Sequence, residues 1–285
     1  MTDKSQHRAG LRPTLGLALG GGAVKGAAHM GILKAFEEAD LRPDFISGTS
    51  IGAMVGTLYA FGKTPQQIVD LAKDMDWLDI TSYTFSRYGI LSNKAIREIM
   101  EDQIGEVNLE DSPIPLAIIA TDISTGERVV LKDGPAADAV MSSTCIPGVF
   151  VPVKYKKRML VDGGIVEHVP ISSLYEMGTD FIVGVDLSGG KSLQQPKGII
   201  DVILNTIEIA VRHQARLHAD EADVVIRLDV RQYGKPGEAN VNRLFERGYE
   251  AAVKHLPAIK DGLEKKAPSS VQVLANKIKN WRLSE

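Results

Sequence analysis

The sequence predicts an α/β protein, a three-layer α/β/α sandwich around a mostly parallel central sheet, and three observations carry that prediction. Short apolar runs bounded by glycine alternate with longer segments of helical periodicity. The first two such units follow one another directly, each passing from strand to helix through a glycine-containing turn. The rest of the chain keeps the alternation to the end of the last long helical segment.

Taken in order, residues 14–19 (Thr-Leu-Gly-Leu-Ala-Leu) are short and apolar, which suits a buried parallel strand better than an amphipathic helix. From Gly26 onward Ala28, Ile32, Leu33 and Phe36 recur at helical spacing, with Lys34, Glu37 and Glu38 on the opposite side. This helix packs one face on a sheet. Residues 44–47 form the next short strand, and Ala53, Met54, Val55, Leu58 and Tyr59 mark a second helix after it. Thr64-Pro65-Gln66-Gln67 is a capping box with proline at the first helical position, opening a helix that carries Ile68, Val69 and Leu71. A further helix runs from Asn93 to Gln103, closed by Gly105. Strands are expected at 116–120, 129–131, 181–185 and 224–228, and long helices at 199–219 and 241–263. The chain divides into a polar arm (1–13), an α/β domain (14–266) and a linker with an amphipathic C-terminal helix (267–285).

Between the second strand and its helix lies Gly48-Thr49-Ser50-Ile51-Gly52, a G-x-S-x-G pattern at a strand-to-helix turn. Such a turn exposes its serine and aims it, and the glycines at 48 and 52 relieve crowding by neighbouring backbone. The helix N-terminus beyond it favours negative charge nearby. Alone the pattern is weak in a glycine-rich chain. The preceding loop, Gly20-Gly21-Gly22-Ala23-Val24-Lys25-Gly26, sharpens it and has three meanings. As a Walker loop it fails, because Ala27-Ala28 stand where Lys and Ser or Thr are required. As a dinucleotide fingerprint it lacks a ribose-binding acid at the end of strand two, since Asp40 and Asp44 lie before or at that strand's start. As an oxyanion hole it needs only free backbone amides and a nucleophile next door. Ser50 is that nucleophile.

A serine nucleophile requires a proton acceptor. Of the six histidines, His7 lies in the polar arm, His29 inside helix one, and His213 and His218 on a late helix. His168 sits in a loop close to other reactive groups, in the stretch from Met159 to Pro170. The same stretch places Asp162 at the end of a short apolar strand, before Gly163 and Gly164. A carboxylate there can take the Ser50 proton directly if desolvation raises its proton affinity.

These motifs, in this order, resemble the bacterial branch of the patatin-like phospholipase family. The family's hallmarks are a glycine-rich loop with Lys or Arg before its last glycine, here Lys25 before Gly26, a G-x-S-x-G elbow, and an Asp-Gly-Gly triplet, here Asp162-Gly163-Gly164. The likeness spans about residues 14 to 230 and includes Ser142 to Phe150 and Asp162 to Pro170. It implies a Ser50-Asp162 dyad, an acyl-enzyme intermediate, hydrolysis of lipid esters without calcium, and an oxyanion hole from the amides of Gly21, Gly22 and Ala23. The chain departs from the pattern twice. Alanine stands at 23 where the family commonly has glycine, and Glu167 and His168 stand where asparagine is common. Either could tune the dyad, and His168 is a candidate neighbour or alternative base.

Composition agrees with one sizeable domain. At 285 residues, 44% hydrophobic and net charge −3, the chain can bury a core and lacks the basic excess of a nucleic-acid binder. Cys145 alone makes no intrachain disulfide, and no calcium-loop or cysteine-cluster motif appears, so no metal or cofactor is expected. The polar arm lacks a signal core and no apolar run approaches the ~18 residues of a membrane span. The expectation is a cytoplasmic enzyme acting on a lipid or ester, with Lys154-Tyr155-Lys156-Lys157-Arg158 or the C-terminal helix as candidate membrane contacts. The basic run also reads as a solvated hairpin turn. The tail shows Val271, Leu274, Ile278 and Trp281 on one face, which suits an interfacial helix or one docked on its own domain. Residues 77–91, with Tyr83, Phe85 and Tyr88 at irregular spacing, suit an acyl-pocket lid or ordinary loop packing. Two further readings stay open: a non-catalytic lipid- or partner-binding member of the family, and a nucleotide-binding oxidoreductase.

Overall fold

A computed structural model describes residues 12–74, 82–83, 88–189, 195–218, 221–230 and 238–267. Most of the predicted N-terminal arm, the C-terminal helix and much of the 77–91 segment lie outside them. In chain order the elements are β1 (Leu15–Leu19), α1 (Ala27–Glu38), β2 (Phe45–Thr49), α2 (Ile51–Ala60), α3 (Pro65–Asp74), β3 (Ser82–Tyr83), β4 (Gly89–Ser92), α4 (Lys94–Ile104), β5 (Leu116–Asp122), β6 (Arg128–Leu131), α5 (Ala136–Ser143), β7 (Gly148–Phe150), β8 (Val153–Tyr155), β9 (Arg158–Asp162), α6 (Ile171–Glu176), β10 (Phe181–Gly189), α7 (Ile199–His218), β11 (Val224–Asp229) and α8 (Glu238–Lys266).

The central sheet is mixed. Strands β11, β10, β1, β2 and β5 run parallel in that order, and β5 then pairs antiparallel with both β6 and β9, with β8 beyond β9. Alternation along the strands sorts their side chains into two cores. Leu15, Leu17 and Leu19 of β1, with Phe181, Val183, Val185 and Leu187 of β10, enter the larger core together with side chains of α1, α2 and α8. Ala18 and Ile182 face the other way and meet Ile171 and Leu174 of α6 in a smaller cluster. Helices on both faces make the three-layer sandwich that the sequence predicts.

Local chemistry fixes several boundaries. The capping box forms as expected, with Gln67 N donating to Thr64 Oγ1 at 3.2 Å and Thr64 N donating to Gln67 Oε1 at 2.9 Å. Helix α4 closes at Gly105, whose φ of +79° is easy for glycine alone. The 77–91 segment contributes more than an irregular loop. Within it β3 pairs with β4, and β4 pairs with β7, in a small separate sheet, a pairing that two- to four-residue strands cannot announce by periodicity.

Helices α1 and α8 cross at reciprocal glycines. A Cβ on Gly31 would fall 2.0 Å from the Phe245 carbonyl oxygen, and one on Gly248 would fall 2.0 Å from that of Ala28. Replacing Gly248 by valine forces the helices apart, and the expected loss is about 2 kcal/mol in urea unfolding. An unchanged midpoint would contradict this contact.

Candidate active site

The register on β5 explains how Ser50 and Asp162 meet. Strand β2 runs parallel to β5 and ends with Thr49 opposite Ile119, whereas β9 runs antiparallel and ends with Asp162 opposite Ala120. At these positions β6 fills the other edge of β5. Strands β2 and β9 therefore share one edge and converge end to end. Ser50 follows the tip of β2, Asp162 closes β9, and the Ser50 hydroxyl comes close enough to the Asp162 carboxylate to favour its ionised form.

Ser50 takes φ +55° and ψ −126°, a conformation that costs a non-glycine residue about 1–3 kcal/mol and persists only when its surroundings impose it. Close packing imposes it here. A Cβ on Gly52 would lie 2.1 Å from the Leu19 carbonyl oxygen, so α2 can begin against the end of β1 only with glycine there. The Ser50 amide donates to Ser143 Oγ at 2.9 Å, and the Ser143 hydroxyl donates to the Ile119 carbonyl at 2.6 Å. Ser143 thus ties the elbow to β5. Sequence reasoning assigned it no role, although it lies in the 142–150 stretch. Three more buried hydroxyls join neighbouring segments in the same way: Ser47 to the Pro170 carbonyl (2.6 Å), Thr49 to Glu167 O (2.9 Å) and Thr121 to Asp162 O (2.8 Å). A short hydroxyl residue in a strand carries no sequence signal that separates this use from ordinary packing.

Asp162 is buried. Its Oδ1 accepts from the Gly164 amide at 2.8 Å, yet burial outweighs this bond and the influence of the Ser50 hydroxyl and pushes the carboxyl up from 3.8 to about 6. The group is ionised at neutral pH and holds a proton more readily than an exposed aspartate.

The glycine loop is anchored from below. Gly20 N donates to Val185 O at 3.0 Å, and His29 Nε2 donates to Gly20 O at 2.8 Å. Burial pushes the His29 imidazole down to about 4, so it is neutral there. The Gly21 amide donates to the His168 carbonyl at 3.2 Å, which corrects the expected trio of oxyanion donors. An amide turned onto its own backbone is not free for substrate. Among the described residues the amides of Gly22 and Ala23 have no backbone partner outside the turn. Ala23 adopts φ +48° and is exposed. The alanine that stands where glycine is common thus bears backbone strain rather than crowding a neighbour.

His168 is not a surface residue. Its ring packs against the loop: a Cβ on Gly21 would lie 3.1 Å from His168 Cε1 and 3.5 Å from Ser50 Cβ, so both side chains border Gly21. Nε2 lies 3.8 Å from Asp186 Oδ1, and burial lowers the proton affinity of the imidazole against the pull of that carboxylate. The Glu167 carboxylate does not stand beside Ser50 and Asp162. Its carboxylate pairs with Arg128 at 2.8 Å and accepts from Ser172 N and Oγ at 2.9 and 2.6 Å, holding the start of α6.

Ser50 and Asp162 open into a pocket of about 620 Å³ walled by the glycine loop with Lys25, by Ile146, Pro147 and His168, and by Leu204, Glu208, Val211 and Arg212 of α7. The sequence predicted α7 as a helix without placing it over the site. Lys154 to Arg158 forms the β8–β9 hairpin, with Arg158 paired to Glu127 at 3.2 Å, as a solvated turn should be. Among the described residues no group of three or more His, Cys, Asp or Glu side chains is gathered that could hold a metal ion, and no helix is long and apolar enough to cross a membrane.

The sequence profile described as patatin-like phospholipase matches residues 17–175, more than half of the chain. The chain belongs to the patatin-like phospholipase family. An uncharacterized NTE family protein of Mycobacterium tuberculosis is 33% identical over 183 residues, covering 63% of this chain and 51% of that protein. Patatin-like phospholipase domain-containing protein 6 of Homo sapiens is 33% identical over 186 residues, covering 61% of this chain and 13% of that protein. The chain therefore spans about half the length of the mycobacterial relative and a small part of the human one. VipD of Legionella pneumophila has the same fold, with a TM-score of 0.53 and 15% identity over 87% of this chain and 67% of that one.

In this patatin-like chain the buried Asp162 carboxylate sets a pH dependence of stability. The folded state binds the Asp162 proton more tightly than the unfolded chain, so stability rises as pH falls from above 6 toward 3.8. Asp162→Asn removes the burial penalty of the ionised group. Its urea midpoint is expected to exceed the parent's at pH 8, by no more than about 3 kcal/mol, and to converge with it near pH 4. An equal offset at both pH values would contradict the assignment.

Proposed function

We propose that this chain is a serine lipid acyl hydrolase, acting on ester-linked acyl chains of lipids or phospholipids through Ser50 and Asp162. The observation that carries the reading is the convergence of Ser50 and the buried Asp162 carboxylate, at the ends of β2 and β9, in the wall of one open pocket. Membership of the patatin-like phospholipase family supplies the substrate class.

In the proposed reaction Ser50 Oγ attacks the ester carbonyl while Asp162 takes its proton. The carbonyl oxygen gathers negative charge and is met by the amides of Gly22 and Ala23, with the N-terminus of α2 adding partial positive charge. The tetrahedral intermediate collapses, the bond to the alcohol oxygen breaks, and that oxygen leaves with the proton from Asp162. Water then attacks the acyl-Ser50 carbonyl, giving its proton to Asp162. Release of the carboxylic acid returns the proton to Ser50 Oγ. A direct carboxylate base suits this sequence because a proton affinity raised toward 6 improves proton transfer without neutralising the group at pH 7. The strained φ of Ser50 keeps Oγ clear of the helix it precedes.

Ser50→Ala is expected to abolish hydrolysis of a short-chain nitrophenyl ester and labelling by a fluorophosphonate. Activity surviving this substitution would end the reading. The labelling rate of the parent should fall as pH drops through about 6, where Asp162 takes up its proton, whereas Asp162→Asn should be at least a thousandfold slower, with no such inflection. An inflection that persists in Asp162→Asn and vanishes in His168→Ala would transfer the role of base to His168.

A further inference from the structure

Helix α7 carries its two faces the wrong way round for a helix bordered only by water. A surface helix of a folded domain turns apolar side chains inward and polar ones outward. In α7 the polar side chains of Asp201, Asn205, Glu208 and Arg212 stand in the wall of the Ser50 pocket, whereas Ile199, Val202 and Ile209 are 72%, 45% and 56% exposed. Their spacing, three and then seven residues, puts the three isolated apolar groups on a single helix face. Thr206 lies between them, and its hydroxyl donates to the Val202 carbonyl at 2.8 Å, so it is satisfied inside the helix.

The size of this stripe selects its occupant. From Ile199 to Ile209 it is about 15 Å long on a helix about 10 Å across, which falls well below the ~800 Å² that each partner brings to a stable protein interface. An interfacial helix needs no more, since it sinks only ~5–10 Å into the boundary between headgroups and acyl chains. Charge agrees. Ala210 and His213 are exposed beside the stripe, Lys197 is exposed just ahead of the helix, and the helix's two acids, Asp201 and Glu208, stand in the pocket wall instead. An anionic headgroup layer therefore meets no carboxylate of α7 on this side. Because the same helix walls the pocket, a lipid passing from such a layer toward Ser50 crosses the width of one helix.

We propose that the outward stripe of α7 is an interfacial contact with a lipid bilayer, seated at the headgroup–acyl boundary so that the Ser50 pocket opens at the membrane surface. The proposal deepens the hydrolase reading, on which it rests for the lipid nature of the substrate.

The test compares sedimentation of the full chain and of Ile199→Gln/Ile209→Gln with vesicles of equimolar phosphatidylcholine and phosphatidylglycerol. Neither residue lines the pocket. The parent is expected to sediment, and the double variant to lose at least tenfold in partitioning through the lost burial of two large apolar side chains, with thermal unfolding and the rate on a water-soluble nitrophenyl ester unchanged. Ile209→Cys carrying an environment-sensitive fluorophore gives a second reading, since Cys145 is buried and leaves the label to position 209. Its emission should shift to the blue with vesicles and be quenched by spin-labelled lipid, whereas the same label on Val253→Cys, at an exposed position of α8, should do neither. A parent that stays in the supernatant, equal sedimentation of parent and double variant, or a label at 209 that remains in water would overturn the proposal. A parent dimer that the two substitutions convert to monomer, with vesicle binding unaltered, would assign the stripe to a second copy of the chain instead. These readouts need no turnover: vesicle binding lost in the double variant, while no fluorophosphonate labels Ser50 in the parent, would uphold the contact and remove the hydrolase reading alone.

Discussion

The edge of β5 on which β2 and β9 meet end to end is the constraint on which the rest of the site depends. A parallel and an antiparallel strand can point their carboxyl ends at each other only when both pair with the same third strand, and the Thr49–Ile119 and Asp162–Ala120 registers put those ends on adjacent rungs. Two side chains 112 positions apart then face each other without any loop having to fold over the site. Backbone ladders hold the pair more rigidly than side-chain contacts would, and rigidity is what a direct serine-to-carboxylate proton transfer needs.

Rigidity has costs that the chain meets locally. Ser50 and Ala23 both carry positive φ, at +55° and +48°, and Asp162 is a carboxylate kept from solvent. The buried hydroxyls of Ser47, Thr49, Thr121 and Ser143 each satisfy a backbone carbonyl of a neighbouring segment. His29 does the same for the Gly20 carbonyl. Two of the four positive-φ non-glycine residues among those described therefore line one pocket together with a buried carboxylate, while the larger core beneath consists of ordinary close-packed hydrophobic side chains.

Much of this was legible in the sequence because the signals were local. Apolar period, the capping box at Thr64, and glycine before and after Ser50 each act within a few residues, and the corresponding elements lie within a few residues of their expected bounds. That Ser50 and Asp162 come together was legible through motif order and not through spacing. What stayed hidden was non-local. No pattern in the sequence announces that the Gly21 amide turns onto His168, that Glu167 swings to Arg128, that α7 walls the pocket, or that Ser143 braces the elbow. Each depends on which segments the sheet brings together, and a short strand such as β4 or β7 has too few residues to show a period.

The central claim is that the Asp162 carboxylate, buried beside the Ser50 hydroxyl, owes its proton affinity to that setting. Isotope-edited infrared titration of the Asp162 carboxyl measures this directly. The account predicts a protonation midpoint near 6 in the parent and a higher one in Ser50→Ala, because the neighbouring hydroxyl favours the ionised form. A midpoint in the ordinary range near 4, unmoved by Ser50→Ala, would contradict it.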